Sequence, residues 1–565
     1  MTRPLPATYP DRGTHSRHHA NGGASPLPVP STSLYSQVIA ACRARPSRIK
    51  LGDSTGAKLS GIDTLVRALV LRRVLRREFL GPEDGTVALL LPPTVAAAVA
   101  NLALVLDRRV TVNLNYTLTP ATLDDCVARA GVKHVLTSRA FLAKVPIDLK
   151  NAEFIYLEDL RDKASPLDKL RSYIDGKYLP TGALLAALGV NHVPENDLFT
   201  IIFSSGTTGK PKGVMLSFGN VTSNLEGVDH VINWNPDDVV IGVLPFFHSF
   251  GSTITLWAVM TRDVTAVYHA NPLEAQTICK LTQEWGGTIL PATPMFIRTY
   301  LRRCTPEEFN SLAIVAIGAE RMPPTLAKEF LDRYGLDTIQ GYGSTEMAPL
   351  VSANVPRNRA RVDPEVWNRT GTVGRPVPGV MTRVVDPETF EDVPPGEPGL
   401  LLVNGPNRML GYLGDPAATA EALHDGWYIT GDIASVDADG FISLKDRQSR
   451  FAKIAGEMIP FGAVEDALLA ILGSDDAGGP RAVVTAIPDD RRGERLVVVH
   501  TPVDKTPTEI VLAIAAANLP KRYRRGGYRF VEVPALPVIG AGKLDLKALK
   551  DIAKNGASPA GSGGR

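Results

Sequence analysis

The sequence lacks most of what would mark a disulfide-rich, membrane-spanning or nucleic-acid-binding protein. Only four cysteines occur in 565 residues: Cys42, Cys126, Cys279 and Cys304, far apart and with no CxxC pair. That scarcity argues against a disulfide scaffold or a structural zinc site and fits a reducing, cytoplasmic compartment. Charge of one sign is missing too. The 61 Lys and Arg against 59 Asp and Glu leave a formal net charge of +2, with no basic excess to hold nucleic acid. The apolar stretch that first suggests a membrane span, 86–106, is broken by Pro92 and Pro93. It reads as a buried strand, Val87–Leu91, followed by a packed helix, Val95–Leu106, so no transmembrane span is expected. Peripheral contact with a membrane is compatible with this composition. Residues 1–33, rich in Pro, Ser, Gly and His, lack the apolar core of a secretory signal and read as a disordered tail. His15, His18 and His19 belong to that tail rather than to a metal site.

What is present is an alternation of strand-like and helix-like runs, which points to α/β layers. Leu312–Ile317 before Pro324–Tyr334 is one such pair. From about 372 to 446 the pattern shifts to short alternating segments with many Gly and Pro turns, including Gly399–Asn404 and Gly440–Lys445. This stretch reads as a β-rich subdomain. A new α/β unit then spans 447–554, with helices at Ala463–Leu472 and Thr508–Asn518 and strands at Ala482–Ile487 and Leu496–His500. The tail 555–565, rich in Gly and Ser, reads as disordered. No internal repeat is found.

The segment SSGTTGKPKGV, Ser204–Val214, carries the clearest chemistry. A β-run enters a loop of small and hydroxyl residues, then Lys210 and Lys212, then a second strand. Small residues let backbone N–H groups approach an anion, hydroxyls add donors, and lysine adds charge, so the loop is built to cradle phosphate. It is not a Walker A loop, because Pro211 stands where Ser or Thr would be needed. The HxxxxD pattern His192–Asp197 is short, lies just before this strand, and reads as chance rather than an acyltransferase site.

SSGTTGKPKGV resembles the phosphate-loop signature of the adenylate-forming (AMP-binding) superfamily. Further motifs fall in that family's order: LPFFHSFG (Leu244–Gly251), GAERMP (Gly318–Pro323), GYGSTE (Gly341–Glu346), GTVGRPVPG (Gly371–Gly379), WYITGD (Trp427–Asp432) and PVIGAGK (Pro537–Lys543). With RFAKIAGEM, Arg450–Met458, the chain is most similar to the synthetase half of the bifunctional acyl–acyl-carrier-protein synthetase/2-acylglycerophosphoethanolamine acyltransferases, and next to long-chain acyl-CoA synthetases. The resemblance implies a large N-terminal α/β domain over 34–446, with its β-rich subdomain, and a small mobile C-terminal α/β lid over 447–554. It implies ATP, Mg²⁺ and a fatty acid, with CoA or the phosphopantetheine of acyl carrier protein as acceptor.

Residue by residue, the resemblance implies that Ser205, Gly206, Thr207, Thr208, Gly209 and Lys210 hold phosphate. Gly318, Ala319, Glu320, Gly341, Tyr342 and Gly343 would frame the nucleotide, with Tyr342 stacked on adenine. Thr345 would contact phosphate, while Glu346 and Thr207 hold magnesium, which keeps oxygen ligands and bridges phosphates. Asp432 and Arg447 would bind the ribose. Lys543 would reach the α-phosphate during adenylation, and the Gly456 loop would face the pantetheine channel. His248 would line the acid site among Phe246, Phe247 and Phe250. That motif carries no Asp to pair with a substrate ammonium, and a buried cation without a carboxylate is costly, so an apolar acid is expected. The run Lys521–Arg525 could dock an acidic carrier protein, although a solvated basic turn explains it as well. Three departures fall at the domain junction: Asp446 precedes Arg447 where the family has Gly, Ser449 replaces the usual Asp or Lys, and Pro460 comes one position early.

Overall fold

A computed structural model describes residues 33–204, 210–454, 457–475, 479–489, 493–516, 527–539 and 543–556. The chain is mixed α/β, with a large N-terminal part and a smaller C-terminal part. Two large sheets form the first part. In one, the strands Val110–Asn113, Thr86–Leu89, His134–Thr137 and Glu153–Tyr156 are parallel neighbours. Leu198–Ser204 joins them in parallel and turns back antiparallel into Lys212–Ser217. In the other, Ile49–Asp53, Thr265–Tyr268 and Val239–Gly242 run parallel, as do Ile289–Ala292, Ile314–Ile317 and Thr338–Gly343. The helices between these strands cover the sheets, the layering that parallel sheets require.

Local chemistry explains the elements. Helix Val95–Leu106 begins at Thr94, whose hydroxyl accepts the Ala97 N–H at 3.2 Å. It is buried on nearly every side, as a helix apolar all round must be. Its one buried amide, Asn101, donates to the Ala97 carbonyl at 2.9 Å and exchanges hydrogen bonds with Asn113, so no polar group there goes unpaired. Helix Pro324–Tyr334 starts with proline in its first turn and stops at Gly335, φ +67°, the usual asymmetry of helix ends. Among the described residues no helix is long and apolar enough to cross a membrane.

The β-rich stretch forms a separate sheet from Met381–Val385, Gly399–Asn404, Leu423–His424, Trp427–Val436 and Ile442–Arg447. It is not self-contained. Gly411–Tyr412 leaves it to pair with Met215 and Val214 of the first large sheet, and Arg375–Pro376 joins the second. The C-terminal part has its own sheet, with Ala482–Asp489 against Gly493–His500, and its own core around Val464, Leu468 and Val498.

One expectation needs correction. Cys279, in helix Ala275–Trp285, and Cys304, just past helix Pro294–Arg303, are joined as a buried disulfide with a Cα separation of 5.8 Å. Helix packing closes a gap of 25 residues that spacing alone does not reveal. It is a single internal link rather than a scaffold, and Cys42 and Cys126 stay free and buried.

Candidate active site

The antiparallel pairing of Trp427–Val436 with Ile442–Arg447 sets Asp432 directly opposite Arg447. Arg447 Nε lies 2.9 Å from Asp432 Oδ1, and the Tyr342 hydroxyl donates to Oδ2 at 2.5 Å. Arg447 Nη1 also donates to the Thr430 carbonyl at 3.0 Å, and the Thr430 hydroxyl accepts the Asp432 N–H at 3.0 Å. Asp432 and Tyr342 are buried while the Arg447 side chain is 51% exposed. Burial, then the charge of Asp432, pushes the Tyr342 phenol well above its ordinary value. Burial opposes the Arg447 charge, but Asp432 and the neighbouring phenols outweigh it and raise its pKa. A carboxylate has about four lone-pair positions, so Asp432 can hold this pair of donors and still accept from a diol at the cleft.

A second polar cluster lies around Glu346, in the turn Thr345–Met347 that follows strand Thr338–Gly343. The Tyr412 hydroxyl donates to Glu346 Oε1 at 2.9 Å, and Lys212 Nζ sits 4.6 Å from the Tyr412 ring centre. This contact exists because Gly411–Tyr412 is a strand of the same sheet as Lys212–Ser217. Burial, then the Glu346 charge, raises the Tyr412 pKa, so the phenol stays a donor. The Thr345 hydroxyl lies 3.2 Å from that of buried Ser249. The chain must pass close here: a Cβ on Gly343 would lie 2.0 Å from the Pro349 carbonyl oxygen. The Glu346 carboxylate offers hard oxygen ligands of the kind Mg²⁺ takes.

The other expected residues are placed as follows. Gly318 packs under Phe250, whose ring would stand 2.9 Å from a Cβ. Ala319 takes a left-handed φ of +68°, Glu320 is exposed, and Gly341 is half-buried. His248 is exposed, its Nδ1 accepting the Phe250 N–H at 3.3 Å. Lys210 is exposed, and the carbonyl of the adjoining Pro211 accepts from Arg129 at 2.7 Å. Ser205, Gly206, Thr207, Thr208, Gly209, Gly456 and Lys521–Arg525 lie outside the described residues. Lys543 opens the strand Lys543–Leu544, paired with Val538–Ile539; its side chain lies outside the description. Asp197 of the HxxxxD pattern pairs with Arg108 at 3.0 Å.

One aromatic is misplaced by the sequence reading. Phe246 is fully buried in the core, edge-to-face with Tyr268, and does not surround the site. Phe247 does face a space: with Pro245 and Phe296 it forms part of the wall of a cavity of about 1300 Å³. Tyr116 stands edge-on to both Phe247 and Phe141, and Val66, Val70, Val74, Leu91 and Val99 continue the wall. The lining is overwhelmingly apolar, with the exposed cations Arg67, Lys144, Arg161 and Lys169 among its residues. Nothing in the motif pattern announces this space or Tyr412, and Ser249 stands within LPFFHSFG without being singled out. These residues are assembled by pairing between segments far apart in the chain.

With this geometry in hand, comparison places the chain among known proteins. The family model described as "AMP-binding enzyme" matches residues 39–413. A 4-coumarate–CoA ligase of Oryza sativa subsp. japonica is 31% identical over 88% of this chain and 90% of its own. A long-chain-fatty-acid–CoA ligase of Bacillus subtilis is 27% identical over 96% of both. Among solved structures, ATP-bound MatB of Rhodopseudomonas palustris superposes with a TM-score of 0.76 at 24% identity, covering 93% of this chain and all of that one.

Proposed function

The chain belongs to the AMP-binding enzyme family, and from that premise we propose that it activates a medium- or long-chain fatty acid and passes it to the thiol of CoA. The observation that carries the substrate reading is the apolar cavity of about 1300 Å³ walled in part by Phe247. Small-molecule sites usually span about 300–1,000 Å³, so a short acid would leave most of this space unfilled. Each methylene buried contributes about 0.8 kcal/mol, so a long chain gains most from such walls. Resemblance to a coumarate ligase makes an aryl acid the reading to test against.

The first step joins a carboxylate oxygen to the α-phosphorus of ATP, and pyrophosphate leaves. In the second, the thiol sulfur bonds to the acyl carbon, its proton is lost, and AMP leaves. Asp432, aligned by Tyr342 and Arg447, holds the ribose hydroxyls; Lys210 and the adjoining loop hold phosphate. Glu346 and Thr207 would hold Mg²⁺, which when bound neutralises phosphate charge, and Thr345 contacts phosphate. Lys543 supplies the ammonium beside the α-phosphate, where a preorganised cation is most effective. His248 stands on the acid side, and the cavity keeps the chain dry and fixed.

The test is AMP formation by the purified protein with Mg·ATP and acetate, benzoate, coumarate, octanoate, palmitate or oleate. Each acid is run with CoA, with holo acyl carrier protein, and without thiol. Turnover rising with chain length and requiring CoA is the expected result. Preference for coumarate or benzoate overturns the fatty-acid reading, and turnover with carrier protein alone changes the acceptor. No acid-dependent AMP at all overturns the ligase.

A further inference from the structure

Helix Pro166–Tyr178 packs against helix Gly61–Glu78 with its smallest residues. Ser172 and Gly176 are buried, and a Cβ on Gly176 would touch Val66 at 3.0 Å. Its acidic groups turn to the same side. Asp168 pairs with Arg77 at 2.7 Å, and Asp175 pairs with Arg73. The face pointing away is therefore of unusual composition. Leu170 is 57% exposed, Ile174 47% and Tyr178 64%, with Leu167 and Tyr173 beside them. Residues 167, 170 and 174 fall on one stripe at helical spacing. The charges left on this face are positive: Arg171 and Lys177 are exposed, and Lys177 Nζ caps Tyr173, donating to its hydroxyl at 2.6 Å. Soluble surfaces scatter exposed apolar side chains singly; a contiguous patch marks an interaction site.

We propose that this helix is a docking face for an anionic phospholipid surface. An apolar stripe flanked by basic side chains is the composition of a helix that lies in the headgroup region, with its apolar face in the acyl boundary. Basic side chains near such a surface add attraction to anionic headgroups. The helix also adjoins the cavity. Lys169 lies on it, Ala164 just precedes it, and both line the cavity, as do Arg67 and Arg161. The apolar stripe itself is not part of the cavity wall, and the docking does not rest on the fatty-acid reading above.

The test needs neither ATP nor acid. The full chain is sedimented with vesicles of phosphatidylcholine alone, or of phosphatidylcholine mixed with phosphatidylglycerol, at low and high salt. Partitioning onto the anionic vesicles is expected to exceed that onto neutral ones by about tenfold or more and to fall with salt. L170E/I174E should abolish it, and R171E/K177E should reduce it about tenfold. Both variants should melt as the parent does and keep octanoate turnover within twofold or so, since each change lies on the surface. No sedimentation, or binding that the variants leave intact, overturns the proposal. So does concentration-dependent self-association that L170E/I174E dissolves, which would give the face to a second copy of the chain. Loss of ligase activity in the parent with vesicle binding retained would overturn the fatty-acid reading alone.

Discussion

Around Asp432 the side chains meet through hydrogen bonds of 2.5 to 3.0 Å, each from a residue with one role. The walls of the apolar cavity are made mostly of aliphatic and aromatic side chains that meet through contact. The first region specifies by discrete polar atoms, the second by volume. Discrete polar sites are lost by removing one group. Volumes are lost by filling them, and they discriminate gradually, by a few kcal/mol at most.

The largest effect should come at the polar end. Asp432→Ala removes the acceptor shared by Tyr342 and Arg447. Each hydrogen bond to a charged group is worth about 1.5–3 kcal/mol, and each ~1.4 kcal/mol is tenfold in rate. Acid-dependent exchange of pyrophosphate into ATP should fall by at least about 100-fold for every acid alike. A loss confined to long acids would break the division between the two regions.

Val70→Trp tests the other side. Filling space beside Val70 should exclude the burial of about four methylenes, worth ~3 kcal/mol. The kcat/KM for palmitate should then drop about 100-fold, with octanoate changed by less than about threefold. A melting curve separates this from overpacking, which costs about 1–3 kcal/mol of stability. Equal loss for both acids would mean that the cavity does not hold the chain.

The same division decides how much was legible in the sequence. Phosphate-loop, GYGSTE and WYITGD segments can be read because a polar site needs its residue types in short contiguous runs on strand ends and turns. Helices Val95–Leu106 and Pro324–Tyr334 were legible to the residue, their caps and apolar patterns agreeing. The cavity was not, because its wall draws residues from helices Gly61–Glu78, Val95–Leu106, Arg139–Leu142 and Pro294–Arg303 and from the segments near 116 and 247. Phe246 and Phe247 show the limit sharply: adjacent, chemically identical, and pointed at opposite environments. Tyr412 escaped notice for a related reason. The strand that carries it lies in the Gly- and Pro-rich stretch yet pairs with Lys212–Ser217, nearly two hundred residues earlier.

Tyr412→Phe should give a smaller loss than Asp432→Ala. It deletes one hydrogen bond to a carboxylate, worth about 1.5–3 kcal/mol, while the ring stays to meet Lys212. The concentration of Mg·ATP for half-maximal AMP formation should rise about tenfold or somewhat more, again without regard to chain length. An unchanged value would remove Glu346 from the nucleotide side.

The smallest effect is expected at the junction, where both regions must answer to the C-terminal part. Asp446 stands where the resembling family has glycine, and its carboxylate is fully engaged. Oδ2 accepts the Gly462 N–H at 2.8 Å, in the first turn of helix Phe461–Leu472, and Oδ1 lies 3.1 Å from Arg450 Nε. Arg450 continues to Glu465, whose other oxygen accepts the Val484 N–H at 2.8 Å. A carboxylate at a helix N-terminus contributes about 0.3–1 kcal/mol, and here it ties the last strand of the β-rich sheet to the C-terminal core. Asp446→Gly should leave formation of acyl-adenylate within about twofold, because it touches neither Asp432 nor Glu346, and change the thioester-forming step by about fivefold, the equivalent of ~1 kcal/mol. Single-turnover measurement of the two steps separates them. Equal loss in both would make Asp446 a structural tie only; a change confined to the second step would show that the C-terminal part must leave this arrangement before the thiol can attack.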